Sequence, residues 1–173
     1  GAGSNLEALA RACDHGAVPA RIAMVLCNVP TAPAIDRAHR LGLPCRCINH
    51  RDFESREAFD QAMLTVLRAE NVQFVALAGF MRLLSPAFIR VYYGCLLNIH
   101  PSLLPKYKGL NTHQRAIDAG DREAGASVHF VTDDLDDGPI VAQVRVRVQE
   151  DDDAQSLAQR VREQEHRLYV EAL

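Results

Sequence analysis

Asn98 and His100, two residues apart in the run Leu97-Asn98-Ile99-His100, carry polar groups well suited to chemistry. If the run is a strand, alternation places both side chains on one face with their polar groups close together. A carboxamide N–H can stabilise an oxyanion, and an imidazole can donate or accept the proton that acyl transfer must move. The same pair also fits a hydrogen-bonded core histidine beside a turn asparagine. Asp136 bears on the choice. It lies in Asp133-Asp134-Leu135-Asp136-Asp137-Gly138-Pro139, an acidic turn between strands, which in a parallel sheet can bring a carboxylate to the same strand mouth. An acid there favours the protonated form of a neighbouring imidazole and fixes its ring. Asp133, Asp134 and Asp137 read instead as solvated acids that cap backbone N–H groups.

A second candidate lies at the start of the chain, where Gly1-Ala2-Gly3-Ser4-Asn5-Leu6-Glu7 reads as a glycine turn running into a helix. Backbone N–H groups there, with donors from Ser4 and Asn5, suit a phosphate monoester. Equally, Ser4 is a plain N-cap with Glu7 completing a capping box. His113 reads as a polar residue on the first turn of a helix, and His129 as a strand residue without a visible partner. There is no G-x-S-x-G elbow, and Ser102 has no base beyond His100, which argues against a serine hydrolase. Cys13, Cys27, Cys45, Cys47 and Cys95 show no C-x-x-C spacing and read as free thiols with no metal bound.

The elements that must position these groups alternate between strand and helix. Helical patterns run to about Asp14, from Pro33 to Leu41, from Ser55 to Glu70, from Ser85-Pro86 onward, from Asn111 to near Gly120 and from Asp153 onward. Strand patterns fall at Arg21 to Cys27, Pro44 to Ile48, Val72 to Ala78, Cys95 to Ile99, Ser127 to Thr132 and Ile140 to Val148. That rhythm predicts a parallel sheet. Pro101-Ser102-Leu103-Leu104-Pro105 cannot continue a ladder, so the chain turns away just after His100. Gly79-Phe80-Met81-Arg82-Leu83-Leu84 is too apolar for an idle loop. A glycine loop of the phosphate-binding type ordinarily follows a strand, so a first strand upstream of Gly1 is expected, and a continuation past Leu173 likewise.

A length of 173 residues with 48% hydrophobic content supports a single domain with a full core. A formal charge of −3 without a Lys/Arg stripe argues against a nucleic-acid partner and for small-molecule substrates. No apolar run reaches bilayer length and no signal segment opens the chain, so neither a membrane partner nor export is expected, and the chain reads as cytoplasmic.

Five segments together resemble the phosphoribosylglycinamide formyltransferases, the folate-dependent transformylases of purine synthesis. They are Gly3-Ser4-Asn5-Leu6, Ala78 to Ser85, Leu97 to Tyr107, Val128 to Val131 and Leu135 to Pro139. The resemblance spans essentially the whole chain. It implies an α/β, three-layer formyltransferase fold, with a mostly parallel Rossmann-like sheet, helices on both faces, a nucleotide-binding half over about 1–93 and a catalytic half over about 94–173. It implies transfer of the formyl group of the co-substrate 10-formyltetrahydrofolate to the amine of glycinamide ribonucleotide, by a monomer or homodimer, without a metal. His100 matches the proton donor, Asn98 the oxyanion stabiliser and Asp136 the acid that keeps His100 protonatable. Gly3, Ser4, Asn5, Gly79, Pro101, Arg162 and Glu165 match ribonucleotide-contacting positions. Arg56, Met81, Arg82, Leu83, Leu84, Asn98, Thr132, Asp133, Asp134, Leu135 and Asp136 match folate-contacting positions. Asp137 stands where the family commonly has glycine. The nearest alternative is a 10-formyltetrahydrofolate hydrolase, in which water takes the formyl group.

Overall fold

Short apolar runs separated by serine- and proline-capped helices build the first of two compact units, Gly1–Leu96 and Leu97–Leu173, in a computed structural model that describes residues 1–173. The first unit contains α1 (Ser4–Asp14), β1 (Val25–Cys27), α2 (Pro33–Arg40), β2 (Cys45–Cys47), a 3₁₀ turn (His50–Asp52), α3 (Arg56–Ala69), β3 (Val75–Ala78) and α4 (Pro86–Val91). β1 and β2 pair in parallel, Val25 opposite Cys45 and Cys27 opposite Cys47, as a strand–helix–strand unit requires. The expected start signals operate at two helices. Ser55 Oγ accepts the Ala58 N–H at 3.1 Å, and Ser85 Oγ accepts that of Phe88 at 3.3 Å with Pro86 in the first turn. The strands are shorter than the apolar runs that signal them.

The capping box expected at Ser4 and Glu7 does not form. Gly3 takes the N-cap position in the left-handed region, φ 78°, with no side-chain cap bond. Glu7 turns its carboxylate to Arg11 and Arg37 instead. Two guanidinium groups satisfy a carboxylate better than a single amide does.

The second unit begins within β4 (Leu96–His100) and continues through α5 (Thr112–Asp118), β5 (Glu123–Phe130), β6 (Ile140–Arg147) and α6 (Ala154–Ala172). Here the pairing is antiparallel throughout: Asn98 faces His129, His100 faces Ser127, and Ser127 faces Gln143. The β1–β2 pair is parallel, as the strand–helix rhythm predicts, and the connection at 131–139 returns β6 antiparallel beside β5. β5 starts at Glu123, four residues before the expected Ser127, because Glu123 already pairs with Arg147. Opposed residues share a face, so Asn98, His100, Ser127, His129 and Gln143 form a polar face. Leu97, Ile99 and Val128 share the other, apolar face and are buried. α6 packs against β5 and β6, burying Leu157, Val161, Leu168 and Tyr169.

Asn111, where the α5 pattern begins, takes the N-cap position at φ 56° and makes no side-chain cap bond. The capping box occurs instead at α6, where Asp153 accepts the Ser156 N–H at 2.8 Å and Ser156 Oγ accepts the Asp153 N–H at 3.1 Å. Its neighbour Asp152 is paired with Arg160 and accepts the Gln149 N–H at 2.8 Å, and the guanidinium first among these holds its carboxyl well below the usual range. A carboxyl depressed in the folded state stabilises the fold above the ordinary aspartate range and loses that contribution as pH falls below it. Asp152→Asn should therefore weaken the loss of stability on acidification below about pH 4, read as the pH dependence of the denaturation midpoint beside the parent.

Candidate active site

The polar face of the second unit carries a cluster of one carboxylate and two imidazoles. Asp136 Oδ2 lies 3.4 Å from His100 Nδ1, and its Oδ1 lies 3.6 Å from His129 Nε2. All three side chains are buried, with exposures of 8% for His100 and Asp136 and 2% for His129. Asn98 joins them, its Nδ2 3.2 Å from His129 Nε2. Burial pushes the Asp136 carboxyl up, but the Gly109 N–H at 3.0 Å and the charge of His100 are among the influences that outweigh it and hold the group below its ordinary value. Asp136 is therefore a buried anion.

Backbone conformation is what puts it there. Asp136 sits at φ 48°, a left-handed geometry that aspartate tolerates better than most residues. Gly138 lets the loop close, since a Cβ at that position would lie 1.8 Å from the Phe130 carbonyl oxygen. Asp137 does not disrupt the turn. Its carboxylate pairs with Lys108, clasping the loop to the segment that also supplies the Gly109 amide.

His100 is oriented from its other side. Nε2 donates to the Tyr107 carbonyl at 2.9 Å, and Tyr107 itself sits at φ 56°. Its hydroxyl donates to Asp121 at 2.8 Å, and the Arg115 guanidinium lies 5.1 Å from the centre of its ring. The preceding turn is bound to the sheet: Ser127 Oγ donates to the Ser102 carbonyl at 2.7 Å and accepts the Leu104 N–H at 3.1 Å. Gln143 Nε2 donates to the Leu104 carbonyl at 2.9 Å. Pro101 lies next to this network, its carbonyl accepting from Thr112 Oγ1 at 2.7 Å. The Ser102 hydroxyl itself donates to the Lys106 carbonyl at 2.6 Å, which closes the turn.

On α5, His113 is half-buried, and first that partial burial, then the charges of Arg162 and His100, hold its imidazole below the ordinary value. Arg162 lies on α6, which packs against α5. Glu165 lies one turn further along the same helix. Of the acidic loop, Asp133, Asp134 and Leu135 are exposed, and Thr132 Oγ1 makes a long bond to the Asp134 carbonyl at 3.4 Å.

The remaining candidates belong to the first unit. Gly3 is fixed by contact as well as by φ, since a Cβ there would lie 2.9 Å from Ala34 Cα; Ser4 and Asn5 follow on the first turn of α1. The Ala34 N–H donates to the Gly1 carbonyl at 3.3 Å and Arg37 Nε to that of Ala2 at 3.1 Å, so the turn is tied to α2. Gly79 takes φ 66° just after β3. In the segment that follows, Phe80 stacks on Phe59, ring centres 6.4 Å apart, and the Ser85 N–H donates to the buried Asp60 carboxylate at 2.5 Å. Between those anchors Met81 is 76% and Leu83 52% exposed, Arg82 is exposed and Leu84 is buried. Arg56 makes a local pair with Glu57 at 3.2 Å.

His129 and Tyr107 are the residues that sequence reasoning passed over. The available signal for His129 was the alternation of Ser127 and His129, which puts both on one face once β4 and β5 are neighbours. A register shift beside it, where Val128 faces Ala142 but His129 faces Ile140, skips Val141. Bulges of this kind re-aim side chains next to active sites. No sequence pattern announces the Tyr107 carbonyl.

A buried carboxylate between two imidazoles, with a carboxamide beside them at a strand end, is a group for moving a proton while charge develops on an oxygen. That is the equipment of an acyl-group transferase. The chain belongs to the formyl transferase family, which matches residues 1–173. It is 45% identical to the phosphoribosylglycinamide formyltransferase of Escherichia coli over 98% of this chain and 80% of that protein. It is 44% identical to the trifunctional purine biosynthetic protein adenosine-3 of Drosophila melanogaster over 100% of this chain but 13% of that much longer protein. The fold is the α/β formyltransferase fold. The glycinamide ribonucleotide transformylase 1 of Symbiobacterium toebii superposes with a TM-score of 0.97 at 40% identity, over 99% of this chain and 81% of that one. The phosphoribosylglycinamide formyltransferase of Brucella melitensis does so with 0.95 at 47% identity, over 100% and 89%. No helix is long and apolar enough to cross a membrane.

Proposed function

We propose that this chain transfers the formyl group of 10-formyltetrahydrofolate to the primary amine of glycinamide ribonucleotide, serving purine biosynthesis. The observation that carries the reading is the convergence of Asn98, His100 and Asp136, together with identity to the named transformylases along the whole chain. The amine attacks the formyl carbon, and an Asn98 N–H stabilises the negative charge that develops on the formyl oxygen. His100 faces two acceptors, the Tyr107 carbonyl and Asp136, and satisfies both only by carrying both ring protons. The proton on Nδ1, 3.4 Å from Asp136, is the less tightly held and is the one delivered to the reaction. Collapse of the tetrahedral adduct breaks the bond to the folate nitrogen, which takes the proton from His100 as the attacking nitrogen gives one up to the ring, and releases tetrahydrofolate and the formylated nucleotide.

Gly3, Ser4 and Asn5 hold the nucleotide phosphate at the start of α1, with Gly79, Pro101, Arg162 and Glu165 as further ribonucleotide contacts. Arg56, the segment Met81 to Leu84, Asn98 and the loop Thr132 to Asp136 hold the folate; exposed Met81 and Leu83 supply apolar surface for its ring. The chemistry requires no metal, and the catalytic groups all lie in the C-terminal half. The enzyme acts in the cytoplasm as a monomer or homodimer on small molecules, away from nucleic acid and membranes.

A spectrophotometric assay with 10-formyltetrahydrofolate, with and without glycinamide ribonucleotide, tests this directly. Turnover that depends on the amine is expected; turnover indifferent to it identifies a hydrolase. Asp136→Asn keeps the shape, suits the left-handed backbone and retains one acceptor for the Gly109 amide, so it removes the charge and turns the other oxygen into a donor. It should lower kcat about a hundredfold with the melting temperature within a few degrees of the parent. Activity within threefold of the parent would remove Asp136 from the mechanism.

A further inference from the structure

His129 is more deeply buried than either partner of the His100–Asp136 pair, yet transfer chemistry as outlined leaves it no task. Its hydrogen bonds define one. Nδ1 lies 2.9 Å from the carbonyl oxygen of Phe130, which only accepts, so Nδ1 carries a proton. Nε2 has the Asn98 amino nitrogen at 3.2 Å, whereas Asp136 Oδ1 at 3.6 Å lies beyond hydrogen-bond reach. A proton on Nε2 would set two donors against each other, while a lone pair there accepts an Asn98 N–H. The two imidazoles therefore differ in kind. His100 faces two acceptors, whereas His129 faces one acceptor and one donor.

We propose that His129 is a positioning residue for formyl transfer, whose neutral Nδ1–H tautomer turns the amino group of Asn98, rather than its oxygen, into the catalytic cluster. A carboxamide is nearly symmetric in shape, so packing alone does not distinguish its two orientations; a partner of fixed polarity does. The Phe130 carbonyl fixes that polarity. It belongs to the residue next to His129, at the register shift where β6 skips Val141. Asn98 then spends one N–H on His129 and keeps the other for the developing oxyanion. With the amide reversed, the carbonyl dipole would oppose the charge that it is there to stabilise.

The kinetic part of this proposal rests on the formyl-transfer reading; the protonation part does not. In ¹⁵N-histidine spectra of the unliganded parent near pH 7, one buried ring should show a protonated Nδ1 and an unprotonated Nε2. A doubly protonated His129 would overturn the proposal whatever reaction the protein catalyses. In the transfer assay, His129→Leu should lower kcat roughly ten- to a hundredfold, bounded by the loss of one oxyanion donor, with KM for both substrates within about twofold. His129→Gln, whose Oε1 can again accept from Asn98, should recover most of that loss. In an Asn98→Ala background, His129→Leu should cost less than about twofold more, because its effect passes through Asn98. An equal loss in both backgrounds, or no recovery with glutamine in a protein that melts like the parent, would refute it. If the parent shows no amine-dependent turnover, the functional reading fails and the tautomer measurement still decides the hydrogen-bond assignment.

Discussion

His100→Ala should reduce kcat by about 10²–10⁴, the range over which a positioned general acid contributes, equal to about 3–5 kcal/mol of transition-state stabilisation. The proton that His100 supplies has no substitute in the cluster: Asp136 is an anion, and the outward N–H of His129 is held by a backbone carbonyl. KM for either substrate should move far less, because the ring contributes to the transition state and not to ground-state binding. Single-turnover measurements at saturating folate isolate the chemical step. A variant that folds, as judged by circular dichroism, and turns over within threefold of the parent would show that the proton comes from elsewhere. The Tyr107 carbonyl, left without its donor, adds a modest stability cost that the same spectra would register.

The second large effect involves a residue with no side chain. In Gly138→Ala the new methyl would lie 1.8 Å from the Phe130 oxygen and 2.8 Å from its carbonyl carbon, and both of those atoms belong to β5. Neither can yield without breaking the bond from the Phe130 N–H to the Pro139 carbonyl, 2.9 Å long, that closes the loop. Forcing a methyl into such a space costs about 3 kcal/mol, or roughly 6–12 °C in melting temperature for a chain of this size. Activity should fall further than stability does. Asp136 sits two residues away, and a displacement of about 1 Å in a catalytic group costs on the order of a hundredfold. Thermal denaturation and kcat measured on the same preparation test both parts; an unchanged melting temperature would mean that the loop accommodates the methyl, and the link from Gly138 to Asp136 would be lost.

Much of this site is written in the sequence, for reasons that differ from residue to residue. Asn98 and His100 declare themselves because period-two alternation is local and the proline after them ends the strand. Helix starts at Ser55, Ser85 and Asp153 are likewise local signals, and the side-chain bonds are present. Ser4 misled because a cap is a competition: Arg37 reaches Glu7 from thirty residues away and takes the carboxylate that a capping box needs. His129 stayed hidden because its role depends on which strand lies beside β5 and in what register, a non-local fact. An antiparallel ladder in place of a parallel one changes the neighbours of every residue on it. The left-handed backbone at Tyr107, and the carbonyl it turns toward His100, leave no mark in residue types at all.

The left-handed turn at Asp136 sets what this position can become. Glutamate keeps the charge but is poorly suited to that backbone region and is a methylene too long; asparagine and glycine fit the backbone and discard the charge. Substitutions gentle to the chemistry are thus harsh to the chain, and the reverse. A lineage leaving aspartate at this position would pass through an inactive folded protein or an unstable charged one, so the geometry of a single turn confines the position to one residue type as firmly as the reaction does.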